Sequence, residues 1–145
     1  MTTPNAHQRD RAGRTPLHYA AGDGKLDAMT ALIAAGAEID AREDTGQYTP
    51  LMFAAQRDDN IDIITALVEA GADVNLTNSK GETPLFIATR SYGTSGIGAG
   101  ILRYLLDHGA DPHIKKTNGS TVIEYVRRVD DKPGLRSAFG SLLDD

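Results

Sequence analysis

Two short motifs recur in phase along this chain, and this repetition constrains its fold more than any other feature of the sequence. The first motif, TPLHYAA in its first copy and TVIEYV in its most divergent one, begins at Thr15, Thr49, Thr83 and Thr121. The second motif, GAEID in its first copy, begins at Gly36, Gly71 and Gly109. The threonines lie 34, 34 and 38 residues apart, which predicts about four copies of one structural unit.

Local signals in each copy predict a pair of helices. The threonine hydroxyl can accept hydrogen bonds from free amides at a helix start, and proline next in the chain needs no backbone donor. Apolar residues then recur at helical spacing in two stretches, and the second stretch ends at a glycine suited to closing a helix. One such pair cannot bury its own apolar face, so stacking of the units must form the core.

With both motifs in phase, the chain resembles the ankyrin-repeat family from about residue 7 onward. The resemblance implies an all-α solenoid of four helix–turn–helix units with short β-hairpin-like turns, the fourth unit being a degenerate cap. The units of this single domain are expected at about 7–42, 43–77, 78–116 and 117–145. In the family, the histidine of the TPLH motif, here His18, forms hydrogen bonds that join neighbouring repeats.

Surplus residues break the period at three places. From threonine to closing glycine, the first three units measure 21, 22 and 26 residues. One extra residue falls around Gln47–Tyr48, one near Asp58–Asn60, and five in the glycine-rich stretch Gly93–Gly100. We expect that stretch to form a mobile protrusion at the edge of the binding groove, where Tyr92 and Ile97 supply partner contacts.

No catalytic residue, cofactor site or metal site is predicted. The glycine-rich stretch lacks the lysine and hydroxyl residue of a phosphate-binding loop and the glycine spacing of a dinucleotide site. No two of the four histidines are four residues apart on a helix, and the adjacent aspartates fall in turns or at the terminus. A catalytic triad assembled only in three dimensions stays open.

Composition bears on partners and location. A net charge of -5 and a pI near 5.3 disfavour nucleic acid as the partner, although Lys115–Lys116 and Arg127–Arg128 leave a local basic patch open. The chain has no cysteine, no secretion signal at its amino terminus and no apolar run near the roughly 20 residues that span a membrane. These features predict a cytoplasmic protein that binds neither a membrane nor a cofactor.

The resemblance also implies where a partner would bind. In the family, hairpin tips and the exposed flank of the first helix line a concave groove for a protein. In this chain those positions are Arg11, Arg14, Asp23, Gln47, Tyr48, Gln56, Arg57, Lys80, Glu82, Arg90, Ser91, Tyr92 and Asn118. Tyr48 is expected to be an exposed anchor, because tyrosine is favoured in interfaces. Tyr19, Phe53 and Ile87 are expected to be half-buried packing residues.

The function expected from these features is binding rather than catalysis. With no second domain in view, we expect a monomer that holds or inhibits a protein partner, such as an enzyme or a toxin. Small free-standing ankyrin-type proteins are similar in this respect to bacterial antidote proteins that neutralise a cognate toxin. The alternative is an enzyme or a small-molecule binder with a pocket between repeats.

Overall fold

A computed structural model describes residues 5–57, 59–93, 98–129, 132 and 134–144. These residues form eight α-helices and a terminal 3-10 turn, without a β-strand. The elements are α1 (Pro16–Gly22), α2 (Leu26–Ala34), α3 (Pro50–Ala55), α4 (Ile61–Glu69), α5 (Pro84–Ser91), α6 (Ala99–Asp107), α7 (Val122–Arg128), α8 (Leu135–Phe139) and the 3-10 turn Gly140–Leu143. The prediction of an all-α architecture is confirmed.

The repeated threonines begin the first helix of each unit. In all four copies the side chain accepts a hydrogen bond from the backbone amide three residues later. Proline follows the threonine in the first three units, and Val122 takes its place in the fourth. Loss of such a cap costs about 1 kcal/mol, so these four residues fix where the helices start.

The repeated glycines close the second helices. Gly36, Gly71 and Gly109 have φ values of 87°, 103° and 95°, a left-handed conformation that residues with a Cβ rarely adopt. The next amide in each unit then turns back to a carbonyl in the last helical turn, at 2.9 to 3.0 Å. The chain therefore leaves the second helix of each of the first three units in the same direction, and this keeps equivalent residues of neighbouring units aligned.

The core runs through the whole stack. First helices pack against first helices in the order α1, α3, α5 and α7, and second helices pack in the order α2, α4, α6 and α8. Equivalent apolar residues are at most 4% exposed in each row; they are Leu17, Leu51, Leu85 and Ile123 in the first helices and Leu32, Leu67 and Leu105 in the second. No helix in the described ranges is long and apolar enough to cross a membrane.

Backbone hydrogen bonds join neighbouring tips, and we call this row the tip seam. The amide of one tip donates to a carbonyl of the tip before it; the pairs are Asp44 to Ala12 at 2.7 Å, Ser79 to Gly46 at 2.9 Å and Thr117 to Lys80 at 3.0 Å. Because the bonds are between backbone atoms, they place the four tips side by side whatever side chains the tips carry.

A second row, the base seam, joins the segments that follow the second helices. The Asp73 amide donates to the Asp40 carboxylate at 3.2 Å, and the Asp111 amide donates to the Asn75 side chain at 2.8 Å. The Asn75 side-chain amide in turn donates to the Gly109 carbonyl at 2.9 Å. Units one and two, and units two and three, are thus bonded to each other at two separated places, which restrains the angle between them.

The second tip contains the surplus residue predicted around Gln47–Tyr48. The other three tips close with a hydrogen bond between residues four apart, whereas here the Glu43 amide bonds to the Tyr48 carbonyl, five residues on. Gln47 takes up the extra length with a φ of 61°, the one positive φ among the described non-glycine residues. The tip seam continues through this tip unchanged.

Candidate functional site

The surface formed by the four tips and by α1, α3, α5 and α7, which we call the front face, contains most of the predicted partner-binding residues. Exposed members are Arg11, Asp23, Gln56, Arg57, Lys80, Arg90 and Asn118. Half-exposed members are Arg14, Gln47, Tyr48 and Ser91. Glu82 and Tyr92 are buried and are not available on this surface. The front face therefore presents eleven of the thirteen residues to solvent.

A buried carboxylate organises the second tip. Glu43 is 1% exposed and accepts hydrogen bonds from the Thr45 amide at 2.9 Å, the Gly46 amide at 2.7 Å and the Tyr48 amide at 3.0 Å. The Thr45 hydroxyl also donates to it. Burial by itself raises the pKa of Glu43, but the hydrogen bonds from Thr45, Tyr48 and Gly46 outweigh it and hold the pKa at about 2. The ionised carboxylate thus ties the tip together through four hydrogen bonds.

Tyr48 is less accessible than the sequence predicted. Its residue is half-buried, and its ring lies edge-on to Phe53 with centroids 6.0 Å apart. Its carbonyl also accepts from His18. Tyr48 therefore offers one edge to the front face, while the rest of the residue holds units one and two together.

His18 joins the first two units, as the resemblance implied. The Thr15 amide donates to Nδ1 at 3.0 Å, so Nε2 must carry the proton that is donated to the Tyr48 carbonyl at 2.9 Å. The ring lies edge-on to Phe53 with centroids 5.1 Å apart. Burial lowers the pKa of His18, which keeps the imidazole neutral. Its counterparts Met52 and Phe86 contribute apolar contact instead.

The prediction that Glu82 is an exposed tip residue is wrong. Its side chain is fully buried, with Oε2 2.6 Å from Arg90 Nη1 and 3.8 Å from Lys116 Nζ. The Asn78 side-chain amide donates to Oε1 at 3.2 Å. A buried carboxylate is tolerated only when it is paired, and Arg90 and Lys116 close over it from either side. Of this group, Arg90 remains available on the front face.

The prediction of Tyr92 as a partner contact is also wrong, because the residue is 2% exposed. The Tyr92 hydroxyl lies 3.0 Å from the position that a Cβ on Gly134 would occupy, so the ring reaches the start of α8 in the fourth unit. Tyr92 therefore joins units three and four. Ile97, the other contact expected from the glycine-rich stretch, lies outside the described residues, as does half of that stretch.

The three residues expected to be half-buried differ from one another. Phe53 is half-buried and lies beneath the Arg14 guanidinium, which is 5.3 Å from the ring centroid. Ile87 is fully buried. Tyr19 is 43% exposed, with its hydroxyl hydrogen-bonded to the Asp10 carboxylate. This exposed aromatic ring at the start of the front face was missed, because the TPLHY pattern alone does not show how far the ring is covered.

A cavity of about 560 Å³ opens on the outer side of the first unit, between α1 and α2. Apolar atoms form its base and polar side chains its rim; the lining residues are Gln8, Asp10, Arg14, Pro16, Tyr19, Ala20, Asp23, Lys25, Ala28, Ala31 and Leu32. The sequence predicted that a ligand pocket, if present, would lie between repeats. This cavity is formed by one repeat and was not anticipated.

Titratable groups on the front face are tied to structural partners. The hydrogen bond from Tyr19 lowers the pKa of Asp10, and the same bond raises the pKa of Tyr19. On the base seam, burial raises the pKa of Asp40. Within the described ranges, no three histidine or acidic side chains lie close enough together to hold a metal ion.

A family model described as ankyrin repeats in three copies matches residues 2–78 and 36–116, which together cover most of the chain. The chain belongs to the ankyrin-repeat family. Ankyrin repeats generally mediate protein interactions.

Two curated relatives share a short segment with this ankyrin-repeat chain. The human protein named protein phosphatase 1 regulatory subunit 27 is 55% identical over 40 residues, which is 28% of this chain and 26% of that protein. The mouse protein of the same name is 52% identical over 40 residues, again 28% and 26%. The chain thus matches about a quarter of the length of these relatives.

Proposed function

We propose that this ankyrin-repeat protein binds another protein through its front face and performs no chemistry of its own. The observation that carries the proposal is the line of eleven solvent-accessible side chains on tips and first helices that are held in register by the tip seam. Rigid elements presenting varied polar side chains give affinity without an ordering cost on binding. Binding then acts by holding, masking or inhibiting the partner.

Further details of the proposal concern the partner and the setting. The partner is an enzyme or a toxin whose active surface the front face covers, and the protein acts as a cytoplasmic monomer. The names of the human and mouse relatives describe regulatory subunits, which supports a regulatory binding role. Protein phosphatase 1 is accordingly the first partner to test by direct binding.

Site-specific photocross-linking tests the proposal. A photoreactive phenylalanine analogue replaces Gln56 or Asn118, which are exposed on the front face, or Glu69, an exposed control at the end of α4. In lysate of the source cells we expect the two front-face positions to give a discrete protein adduct that the control does not give. Equal labelling from all three positions, or no adduct from the front face, contradicts the proposal.

The cavity on the first unit favours small-molecule binding as a second candidate function. Its apolar base and polar rim have the character of ligand sites, although it is open to solvent on one side. Replacing Ala31 with Trp fills the base. We expect small-molecule fragments that raise the thermal unfolding midpoint of the natural protein not to raise that of the Ala31→Trp variant. If they raise both midpoints, they do not bind in this cavity.

A further inference from the structure

The charges of this chain are divided between its two halves. Residues 1–77 contain twelve acidic and six basic residues. The balance reverses between residues 78 and 129, where the acidic residues are Glu82, Asp107, Asp111 and Glu124 and the basic ones are Lys80, Arg90, Arg103, Lys115, Lys116, Arg127 and Arg128. An overall charge of -5 therefore conceals a positive stretch in units three and four.

Aromatic rings hold two cations in place where units three and four meet. The Lys116 Nζ lies 4.4 Å from the Phe86 ring centroid, and the Lys132 Nζ lies 6.0 Å from the Tyr125 centroid. The two rings are themselves 5.6 Å apart. Cation–π contact thus restrains the two lysines on the two rings of one aromatic pair. We call Phe86, Arg90, Lys116, Tyr125 and Lys132 the basic-aromatic patch.

The patch has more positive charge than its internal partners neutralise. Glu82 lies fully buried beneath it and is contacted by both Arg90 and Lys116. The Lys132 ammonium donates to the Arg90 carbonyl at 3.2 Å, a neutral acceptor that does not offset its charge. Glu124, the nearest acidic residue along α7, accepts from the Thr121 amide and keeps its negative charge, so three cations face the charges of Glu82 and Glu124. Asp130 and Asp131, which precede Lys132 in sequence, lie outside the described residues.

We propose that the basic-aromatic patch binds an acidic segment of the partner protein. Carboxylates of the segment would pair with Arg90, Lys116 and Lys132, and its aliphatic carbons would lie on the half-buried Tyr125 ring. Arg90 keeps 42% of its side chain exposed, which leaves room for a second carboxylate beside Glu82. The inference rests on the proposed function and adds to it the chemical class of the partner and the place where it binds.

A protein segment fits this patch better than a nucleic acid does. Binding to a phosphate backbone draws on cations spread along the strand, because each neutralised phosphate releases counterions. Here three cations are concentrated at one junction, and the first two units are acidic. A long anionic strand leaving the patch toward those units would be repelled, whereas a short acidic segment would not.

Fluorescence anisotropy with defined probes tests the inference. The probes are a short fluorescein-labelled glutamate-rich peptide, the same peptide with glutamine for glutamate, and a labelled oligothymidine. We expect the full chain to bind the glutamate peptide, to bind it more weakly as salt rises, and to bind the glutamine peptide far less. Equal binding of both peptides, or tighter binding of the oligothymidine, overturns the assignment to an acidic protein segment.

Matched variants locate the site. Lys132→Gln removes a cation that is not paired with Glu82, so the fold should persist, and it should weaken binding roughly two- to fivefold. Arg90→Gln should also weaken binding, but it leaves the buried Glu82 with Lys116 alone and should destabilise the fold, so the decisive variant is Lys132→Gln. Arg103→Gln, which removes an exposed charge on α6 of the same unit, should have no effect. Unchanged affinity in Lys132→Gln, at a circular dichroism spectrum equal to that of the natural protein, refutes the inference.

The two proposals fail in distinguishable ways. If excess glutamate peptide does not reduce the adduct formed from Gln56, the front face is still a binding surface. The proposal that the partner binds through an acidic segment is then rejected. Peptide binding without any adduct from the front face shows the patch to be an anion site and rejects the proposed partner-binding function. Loss of the adduct in the presence of the glutamate peptide supports both proposals.

Discussion

Replacing Glu43 with glutamine should destabilise the protein at neutral pH and much less in acid. Glu43 has a pKa of about 2 in the folded chain against an ordinary value of 4.5. Each unit of pKa difference corresponds to about 1.4 kcal/mol, so ionisation contributes at most about 3.5 kcal/mol. Because the tip is close to solvent, screening reduces this to about 2 kcal/mol.

Hydrogen bonding gives an estimate of the same size. Glutamine can keep one acceptor oxygen for the Gly46 and Tyr48 amides, but its NH₂ group cannot accept from Thr45. The Thr45 amide and hydroxyl both lose their acceptor. At about 1 kcal/mol for each unpaired donor, the free energy of unfolding falls by about 2 kcal/mol.

The dependence on pH separates this explanation from a general disturbance of the tip. A carboxyl whose pKa is lowered on folding stabilises the folded state above its unfolded value of 4.5, and this stabilisation is lost as pH falls toward 2. We therefore expect urea unfolding to show that the difference in free energy of unfolding between the natural protein and Glu43→Gln is smaller at about pH 3 than at about pH 7 by half or more.

A neighbouring substitution controls for the loss of one negative charge. Asp44→Asn changes the exposed residue next in the chain, and we expect a change within about 0.5 kcal/mol at both pH values. If Glu43→Gln lowers the free energy of unfolding as much at about pH 3 as at about pH 7, the role given to the ionised carboxylate is refuted.

Three further predictions concern stability and are measured by urea unfolding. Because burial lowers the pKa of His18 from 6.5, the unfolded chain binds its proton more readily; stability should fall as pH drops below 6.5, and the variant His18→Gln should lack that part of the dependence. Tyr92→Ala should cost about 3–5 kcal/mol because the residue is buried, and a loss under about 1 kcal/mol would show it to be a surface residue. Deleting residues 93–97 should change stability by less than about 1 kcal/mol, since loop length has a weak effect on loop entropy; unfolding of the shortened chain would show that the surplus is required.

The predictable features of this structure are the local ones. A threonine followed by proline caps a helix through its own neighbours, and Gly36 closes a helix through its own φ, so both are readable from a few letters. The burial of Glu82 and Tyr92 depends on residues far away in the chain. Lys116 covers Glu82 from the next tip, and Gly134 meets Tyr92 from the last unit.

The candidate site was predictable to the extent that it follows from the repeat register. Tip and first-helix positions could be counted along the chain, so most of the predicted residues reach the front face. The repeat register does not predict which side chains of neighbouring units contact and bury one another. Lys132 beside Tyr125 has no counterpart in the other units, and no periodic signal distinguishes it.

The two seams give a physical reason why surplus residues fit at some places in this chain better than at others. The surplus of the third unit falls between α5 and α6, and neither seam passes through that connection. Such an insertion leaves the bonding between units intact, so drift in its length has little consequence for the fold. The insertion at Gln47 falls on the tip seam, and there a positive φ and the Glu43 carboxylate accompany it. Length variation should therefore be common between paired helices and rare at tips, where each added residue requires a second, compensating one.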